Sequence, residues 1–344
     1  MISNHSHRKD EHVSLAEKFY QPDKDLFDEV RFINQGLATS SLRDINIASQ
    51  LGPLQLSAPF YLEAISGGSE RTKKLNARLA TIANQTGLAM AVGSQSVALS
   101  DPSLRDTFEI VRQNNPDGLI FANLGANKTV NDALAAIDMI HADALEIHIN
   151  AAQELIMPEG DRTFNFKQNI SEIVTKVKIP IIIKEVGFGI SQETISELLQ
   201  LGVTAINVSG RGGTNFAMIE NFRRHSKDMD YLKDWGLTTI ESLLESRQFQ
   251  QQATFVASGG VKSPLAVAKC LALGSSAVGV AGYFLNQVIK YDDQHVIDTI
   301  NNWKYGLKAI MLMLGCSTVD ELKRQRLILS PRLISYLEQR NIKY

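Results

Sequence analysis

The stretch Ala144-Leu-Glu-Ile-His-Ile-Asn150 alternates apolar and polar side chains along its length. Successive side chains of a β-strand point to opposite faces, so Glu146, His148 and Asn150 share one face and Leu145 begins the other. We interpret the stretch as a strand of a closed sheet, with its apolar face under helices and its polar face turned to the centre. A surface edge strand with a solvated polar face is the alternative interpretation.

Seven further apolar runs accompany this stretch, each followed by a loop with Gly, Ser or Asn and then by a helical pattern. They are Phe60–Ile65, Leu88–Val92, Gly118–Asn123, Pro180–Glu185, Thr204–Val208, Thr254–Ala257 and Ala277–Val280. Between the runs, Thr129–Ile140, Gln192–Leu201 and Pro264–Leu273 carry apolar residues at helical spacing. Eight successive βα units predict an α/β chain folded as a (β/α)8 (TIM) barrel, with an open doubly wound sheet as the alternative.

The domain organisation follows from where these runs lie. We predict one barrel domain at residues 56–284, with an N-terminal extension at 1–55 and a helical C-terminal extension at 285–344. Two connections, at 150–169 and 210–236, are longer than barrel loops usually are, and loops of such length are commonly functional. Both leave the C-terminal ends of strands, where barrel enzymes have their active sites.

Composition excludes several classes of protein. The chain is 44% hydrophobic and 21% charged, which is typical of a globular protein and not of a disordered or fibrous one. Its net charge of −2 gives no general attraction to nucleic acid or to an anionic membrane, and no apolar run reaches the roughly 18 residues of a membrane span. Cys270 and Cys316 are far apart in sequence, which fits a reducing cytoplasmic compartment.

Polar residues at the ends of the predicted strands indicate a site. Lys184 ends a run of isoleucines, where a charge needs a partner or a ligand, although a lysine that snorkels outward is the simpler alternative. Other strand ends carry Ser66, Ser94, Asn123, Ser209 and Thr214. These groups are expected to converge at one rim of the barrel.

Three glycine-bearing turns suggest an anion site. They are Ser209-Gly-Arg-Gly-Gly-Thr214, Ser258-Gly-Gly-Val261 and Val280-Ala-Gly282. Glycine lets backbone N–H groups approach a phosphate, and the loops after the last two strands are the usual phosphate site of this fold. Each turn alone could be only a tight turn, but together they predict a phosphate-bearing cofactor.

An ordered set of motifs across nearly the whole chain resembles the type 2 (FMN-dependent) isopentenyl diphosphate isomerases. The motifs are Arg8-Lys-Asp-Glu-His12, Ala64-Ile-Ser-Gly-Gly68, Gly93-Ser-Gln95, Asn123-Leu-Gly125, His148-Ile-Asn-Ala-Ala-Gln-Glu154, Pro158-Glu-Gly-Asp161, Lys184-Glu-Val-Gly-Phe-Gly189, Ser209–Thr214, Ser258-Gly-Gly260 and Ala281-Gly282. The chain departs from the family at Ser66, where threonine is usual. From the residues alone, the run at Arg8–His12 is explained as a solvated charge cluster on the terminus. The segment Pro158–Asp161 is explained in the same way as a turn with an acidic surface.

The resemblance implies a function and a set of site residues. It implies an isomerase that interconverts isopentenyl and dimethylallyl diphosphate, using reduced FMN as the acid–base cofactor, NADPH as its reductant and Mg²⁺, in a homo-oligomer of four or eight subunits. The implied FMN contacts are Ala64, Ile65, Ser66, Ser94, Asn123, Lys184, Ser209, Thr214, Gly259, Gly260, Val261, Ala281 and Gly282. The implied substrate contacts are Arg8, Lys9, Ser94, Gln95, Ser96, His148, Asn150 and Gln153, with Glu154 on the metal and with Gln153, His148 and Lys184 as catalytic residues.

Two other functions remain as alternatives. An FMN-dependent 2-hydroxy-acid oxidase or dehydrogenase shares the glycine loop but needs a histidine base, and this chain has Arg211 where that base is expected. A non-catalytic barrel that binds flavin or nucleic acid explains the glycine turns but not the polar rim, and the balanced charge argues against nucleic acid.

Overall fold

Strands in the computed structural model are arranged mainly as one closed barrel. The structure describes residues 4–21, 25–37, 40–65 and 67–344, with side chains from residue 8 onward. The strands within these ranges are β1 (Val30–Phe32), β2 (Ser49–Leu51), β3 (Leu54–Leu56), β4 (Phe60–Leu62), β5 (Met90–Ala91), β6 (Ile120–Gly125), β7 (Ala144–His148), β8 (Ile181–Lys184), β9 (Ala205–Asn207), β10 (Thr254–Ser258), β11 (Ala277–Val280) and β12 (Leu327–Leu329). Strands β4 to β11 pair in parallel and in chain order until β11 meets β4. Each overlaps one predicted run, so the predicted α/β barrel is confirmed.

Helices alternate with these strands. In the described part of the chain the α-helices are α1 (Asn4–Lys18), α2 (Glu70–Thr86), α3 (Ser96–Ser100), α4 (Asp106–Asn114), α5 (Val130–Ile140), α6 (Ala151–Ile156), α7 (Phe166–Lys176), α8 (Gln192–Gln200), α9 (Phe216–Arg223), α10 (Thr239–Ser246), α11 (Pro264–Ala272), α12 (Gly282–Lys290), α13 (Asp293–Met313), α14 (Val319–Lys323) and α15 (Pro331–Arg340). Short 3-10 helices lie at Leu26–Glu29, Leu42–Asp44, Pro102–Leu104, Asp230–Leu232 and Arg247–Phe249. Local sequence sets several starts: Thr129 and Asp132, for example, cap α5 reciprocally.

The strand register aligns the polar strand ends. Gly125 of β6 pairs with His148 of β7, His148 with Lys184 of β8, and Lys184 with Asn207 of β9. Because these strands are parallel, the side chains at their C-terminal ends meet at one rim. The opposite end is sealed by the hairpin of β2 and β3, whose Leu51 and Leu56 pack with the inward-facing Tyr61 and Phe121.

The extensions are packed onto the barrel. Strand β1 pairs with β12 and so joins the two ends of the chain. The long connections at 150–169 and 210–236 contain α6 and α9, which contact each other beside the barrel rim. Helix α12 runs through residue 285, where the sequence placed the start of the C-terminal extension. None of the helices within the described ranges is both long and apolar enough to cross a membrane.

Candidate active site

A cavity of about 810 Å³ opens at the C-terminal end of the barrel, within the size range of small-molecule and cofactor sites. Its walls come from the ends of the barrel strands, the two long connections and helix α1. It brings together most of the predicted site residues, namely Arg8, Lys9, Ala64, Ile65, Ser94, Ser96, Asn123, His148, Asn150, Gln153, Glu154, Lys184, Ser209, Thr214, Gly259, Gly260, Val261, Ala281 and Gly282. Ser66 lies outside the described residues.

Gln95 is the predicted site residue that the structure places elsewhere. Its side chain is fully buried; Nε2 donates to the carbonyl of Ala136 over 2.9 Å, and Oε1 accepts the N–H of Asn123 over 3.1 Å. It therefore links β6 to α5 beneath the rim. Both ends of its amide are used inside the fold, so the structure does not bring Gln95 together with the other predicted site residues. Its contact with the substrate stays a prediction.

The glycine turns form one wall of the cavity through close backbone packing. Gly259 and Gly260 have φ of 101° and 77°, in the region that favours glycine, and a Cβ on Gly259 would lie 2.0 Å from the carbonyl oxygen of Gly210. A Cβ on Gly213 would lie 2.7 Å from the nitrogen of Gly260. The loops after β9 and β10 can therefore approach so closely only because glycines stand where they meet.

This wall offers hydrogen-bond donors to a ligand. None of the backbone–backbone bonds formed among the described residues uses the N–H groups of Gly260, Val261, Gly282 or Tyr283. The last two belong to the first turn of α12, where the helix dipole favours an anion. A glycine turn beside a helix start fits the monophosphate of FMN.

Lys184 forms a buried ion pair where strand β8 ends at the cavity. Its Nζ lies 3.5 Å from Oε1 of Glu63, and Glu63 also accepts hydrogen bonds from the Tyr61 hydroxyl (3.0 Å) and from Asn207 Nδ2 (2.6 Å). Burial alone would lower the pKa of Lys184, but Glu63 and Glu146 outweigh it and raise that pKa. Lys184 is thus held as a cation, beside a cavity in which a reduced flavin would carry negative charge.

His148 is held by a chain of polar contacts across β6 and β7. Its Nδ1 lies 2.9 Å from Oδ1 of Asn123, and Nδ2 of Asn123 donates to Oε2 of Glu146 over 2.9 Å. Burial, with the nearby Lys184 and Lys9, lowers the pKa of His148 to about 3. The imidazole is therefore neutral at physiological pH.

Gln153 is oriented by a carboxylate that the sequence analysis missed. Its Nε2 donates to Oε1 of Glu220 over 2.9 Å, and Nε2 of His12 lies 3.0 Å from the same oxygen, at an angle outside good hydrogen-bond geometry. Arg223 donates to the other oxygen over 2.7 Å. Burial would raise the pKa of Glu220, but these three partners lower it to about 2. Helices α1, α6 and α9 thus meet at one buried anion.

Glu154 lies at the outer part of the cavity and is positioned by its own segment. Oε1 accepts from Nδ2 of Asn150 over 2.9 Å, and Oε2 accepts the N–H of Asp161 over 2.8 Å. The turn is tight, since a Cβ on Gly160 would lie 2.0 Å from the Glu154 carbonyl oxygen. No group of three or more His, Cys, Asp or Glu suited to a metal occurs in the described ranges, so a cation here would need oxygens from its ligand.

The charged N-terminal run is part of a packed helix that covers the cavity. Val13 of α1 is buried against the core, and the Ser69 hydroxyl donates to Asp10 over 2.5 Å. Arg8 and Lys9 face the cavity, and burial together with Arg8 lowers the pKa of Lys9 to about 8. The segment is therefore packed against the rim, and two of its cations lie where a ligand can reach them.

A parallel barrel with a buried cation and a glycine-lined wall at its C-terminal end fits the class of flavin-dependent barrel enzymes. The family model described as FMN-dependent dehydrogenase matches residues 104–329. Isopentenyl-diphosphate delta-isomerases from Latilactobacillus sakei (49% identical, 98% of this chain and 97% of that protein), Staphylococcus saprophyticus (48%, 97% and 97%) and Limosilactobacillus reuteri (48%, 100% and 100%) are similar over nearly the full length. The chain belongs to the isopentenyl-diphosphate delta-isomerase family.

Solved structures agree on the fold. A doubly substituted flavocytochrome b2 with sulfite bound superposes with a TM-score of 0.67 at 19% identity, covering 93% of this chain and 83% of that one. A substituted mandelate oxidase with benzaldehyde superposes with a TM-score of 0.66 at 15% identity, covering 93% and 91%. At such identity the likeness extends to the barrel and not to the reaction.

Proposed function

We propose that this protein is an FMN-dependent isomerase that interconverts isopentenyl and dimethylallyl diphosphate in isoprenoid biosynthesis. The observation that carries the proposal is that a single cavity joins two kinds of site. Its lining includes the glycine turns with Lys184, called the inner wall, and His148, Asn150, Gln153 and Glu154, called the outer wall; the two sets meet where His148 pairs with Lys184. Identity of 48–49% to isomerases over nearly the whole chain supports the same reaction.

The inner wall would hold the cofactor. The turn at Gly259, Gly260 and Val261, with Ala281 and Gly282 at the start of α12, would bind the phosphate, while Ala64, Ile65, Ser94, Asn123, Ser209 and Thr214 would line the rest of the flavin site. Lys184 would stabilise negative charge on the ring. When bound and reduced, FMN supplies the acid–base function that adds a proton to one carbon and removes one from another.

The outer wall would hold the substrate. Arg8, Lys9, His148 and Asn150 would bind the diphosphate, with Ser94 and Ser96 at its edge. Gln153, fixed by Glu220, would orient the allylic carbons against the cofactor, and orientation is a large part of what a protein contributes to such a reaction. The proposal also includes NADPH as the reductant, a cytoplasmic location and a tetramer or octamer. In such an oligomer Arg8 and Lys9 act either in their own subunit or in a neighbouring one.

A 2-hydroxy-acid oxidase or dehydrogenase is the second candidate, because the FMN-dependent dehydrogenase family model matches residues 104–329. Arg211 lies in the cavity wall where that chemistry needs a histidine, and its guanidinium pairs with Asp234 over 3.1 Å. A guanidinium stays protonated and cannot act as a general base. The buried ion pair of Lys184 and Glu63 likewise argues against a barrel that only binds flavin, because buried charge is costly to maintain.

The cofactor gives the first test of the proposal. We expect the purified protein to release FMN, identified by mass spectrometry. Gly259→Ala should bind FMN about 5- to 150-fold more weakly, because a strained backbone costs about 1–3 kcal/mol. Gly36→Ala is the matched control, since a Cβ there meets nothing within 4 Å. Release of FAD, or equal flavin affinity in both variants, would contradict the proposed phosphate site.

The metal gives the second test. Glu154→Gln should weaken Mg²⁺-dependent binding of isopentenyl diphosphate by about 10- to 100-fold, the loss typical of a hydrogen bond or contact to a charged group. Flavin content should not change, because the Glu154 carboxylate contacts Asn150 and Asp161, which are not among the proposed flavin contacts. Calorimetric titration with and without Mg²⁺ measures the effect, and Glu172→Gln on the surface of α7 is the control. An unchanged Mg²⁺ requirement would remove Glu154 from the metal site.

A further inference from the structure

Asn123 joins two residues that the proposed reaction does not otherwise connect. Its Nδ2 donates to Oε2 of Glu146, and its Oδ1 lies 2.9 Å from Nδ1 of His148. A carboxamide oxygen only accepts, so the facing Nδ1 carries the hydrogen. Because His148 is neutral, with a pKa of about 3, its other nitrogen, Nε2, then has no hydrogen.

The orientation of the Asn123 carboxamide is fixed from the side of Glu146. Oε1 of Glu146 lies 3.1 Å from the Tyr61 hydroxyl, whose single hydrogen can serve only one of the two carboxyls it touches. Glu63 is the ionised carboxyl because Lys184 lies beside it, so Glu63 takes that hydrogen. A protonated Glu146 then donates from Oε1 to Tyr61. In either charge state Oε2 of Glu146 remains an acceptor that needs Nδ2 of Asn123.

The charged surroundings of both groups support this arrangement. Glu146 is faced by Tyr61 from β4, by Glu63 just after that strand and by Lys184 from β8, and burial together with Glu63 raises its pKa to about 8. His148 is faced by Lys184 and by Lys9 from α1, which disfavour an imidazolium. Nε2 lies at the cavity wall beside Gly125, where a Cβ would be 3.2 Å from it.

We propose that Glu146 is a positioning residue that, through Asn123, holds His148 as its neutral Nδ1–H tautomer with a bare Nε2 at the cavity. A phosphate oxygen would meet a lone pair there, and two lone pairs repel. A phosphate group therefore binds beside His148 only with a proton between the two atoms. The shared proton rests on the proposed function, which puts a diphosphate in the cavity. The tautomer of His148 does not rest on that function.

Histidine-selective ¹³C,¹⁵N NMR of the full-length flavoprotein tests the tautomer. The His148 signal is assigned by its loss in His148→Gln, and between about pH 6 and 8 we expect the neutral Nδ1–H form, well above the His148 pKa of about 3. Glu146→Gln offers Asn123 the same acceptor and should keep this form. Glu146→Leu removes the acceptor and should shift the signal towards Nε2–H.

Two results would overturn the role of Glu146: an Nε2–H tautomer in the unsubstituted protein, or an unchanged Nδ1–H signal in Glu146→Leu. If Glu146→Leu does not fold, Asn123→Leu replaces it, because it removes the link itself and should shift the signal in the same way. A structural role alone would not distinguish the Gln and Leu variants by tautomer.

Calorimetry with isopentenyl diphosphate and Mg²⁺, on the oxidised flavoprotein so that no turnover occurs, in buffers of different ionisation enthalpy tests the shared proton. Near pH 7 we expect uptake approaching about one proton per diphosphate, since a phosphate with a second pKa near 6 is then mostly ionised. Lys9, with a pKa of about 8, is already mostly charged, and Lys9→Arg should keep the uptake. Binding without proton uptake would overturn the claim that a proton lies between His148 and the phosphate. Absence of diphosphate binding would count against the proposed function instead, and the NMR result would still decide the role of Glu146.

Discussion

Lys184→Met is expected to lower the isomerase rate by about 10²- to 10³-fold, the usual cost of removing one preorganised electrostatic contact. The Lys184 ammonium is buried, and its raised pKa keeps it charged at the cavity. Without it, burial would drive Glu63 to take up a proton, so the barrel should still fold, with a loss of about 3–5 kcal/mol for the broken pair. The reduction potential of the bound flavin should fall, because its reduced anion loses a neighbouring cation.

Lys269→Met is the matched control for this variant. Lys269 is also buried, on α11, and donates to the carbonyl of Phe27 over 2.8 Å, away from the cavity. Its replacement should cost stability and leave the rate per bound flavin unchanged. The rate with pre-reduced flavin and the flavin potential are measured for both variants. Equal rates in the two variants would contradict the assignment of Lys184.

Glu220→Leu is expected to have the second largest effect, on stability and on rate together. The carboxylate is fully buried and holds Gln153, His12 and Arg223, so its loss should destabilise the fold by about 3–5 kcal/mol. With Gln153 released, kcat should fall by about 10²-fold, as expected when a reactive geometry loosens by an ångström. The KM for isopentenyl diphosphate should rise by less than kcat falls, because the Glu220 charge acts on Lys9 only through space, whereas Glu220 bonds Gln153 directly.

The pH dependence of unfolding gives Glu220 a separate signature. Its pKa is lowered from 4.5 to about 2 in the fold, so its contribution is complete above about pH 4.5 and is lost as the pH falls towards 2. Glu220→Leu should remove that part of the acid sensitivity. Glu245→Leu is the control, because Glu245 is equally buried and pairs with Arg340 over 2.7 Å, remote from the cavity. Glu245→Leu should lose stability and keep kcat. A kcat loss as large as that of Glu220→Leu would contradict the role of Glu220 in orienting Gln153.

The barrel and most of its rim could be predicted because both follow from local rules. Alternation over Ala144–Asn150 places polar groups on one face, and parallel pairing brings His148, Lys184 and Asn207 to one rim. The glycine turns were recognisable because only glycine permits the close approach seen at Gly259. These inferences needed no knowledge of distant contacts.

Residues whose role depends on distant contacts were missed or misplaced. Glu63 directly follows the first barrel strand, and an acidic residue there was a usable signal. Its partner, however, lies 121 residues away in Lys184. Glu220 acts by joining three helices, which no local pattern reveals. Gln95 follows a cavity residue in sequence, yet its side chain turns under the rim because the start of α3 directs it towards α5.

The ratio of product formed to NADPH consumed tests the central claim most directly. In anaerobic buffer with Mg²⁺, a trace of NADPH should start conversion of isopentenyl diphosphate, and product should greatly exceed NADPH consumed, because the reaction moves protons without net redox change. In deuterated water the product should take up deuterium at carbon. Consumption of NADPH in equal amount to product would mean a reduction and contradict the isomerase; oxidation of a 2-hydroxy acid by the oxidised flavin alone would favour the second candidate.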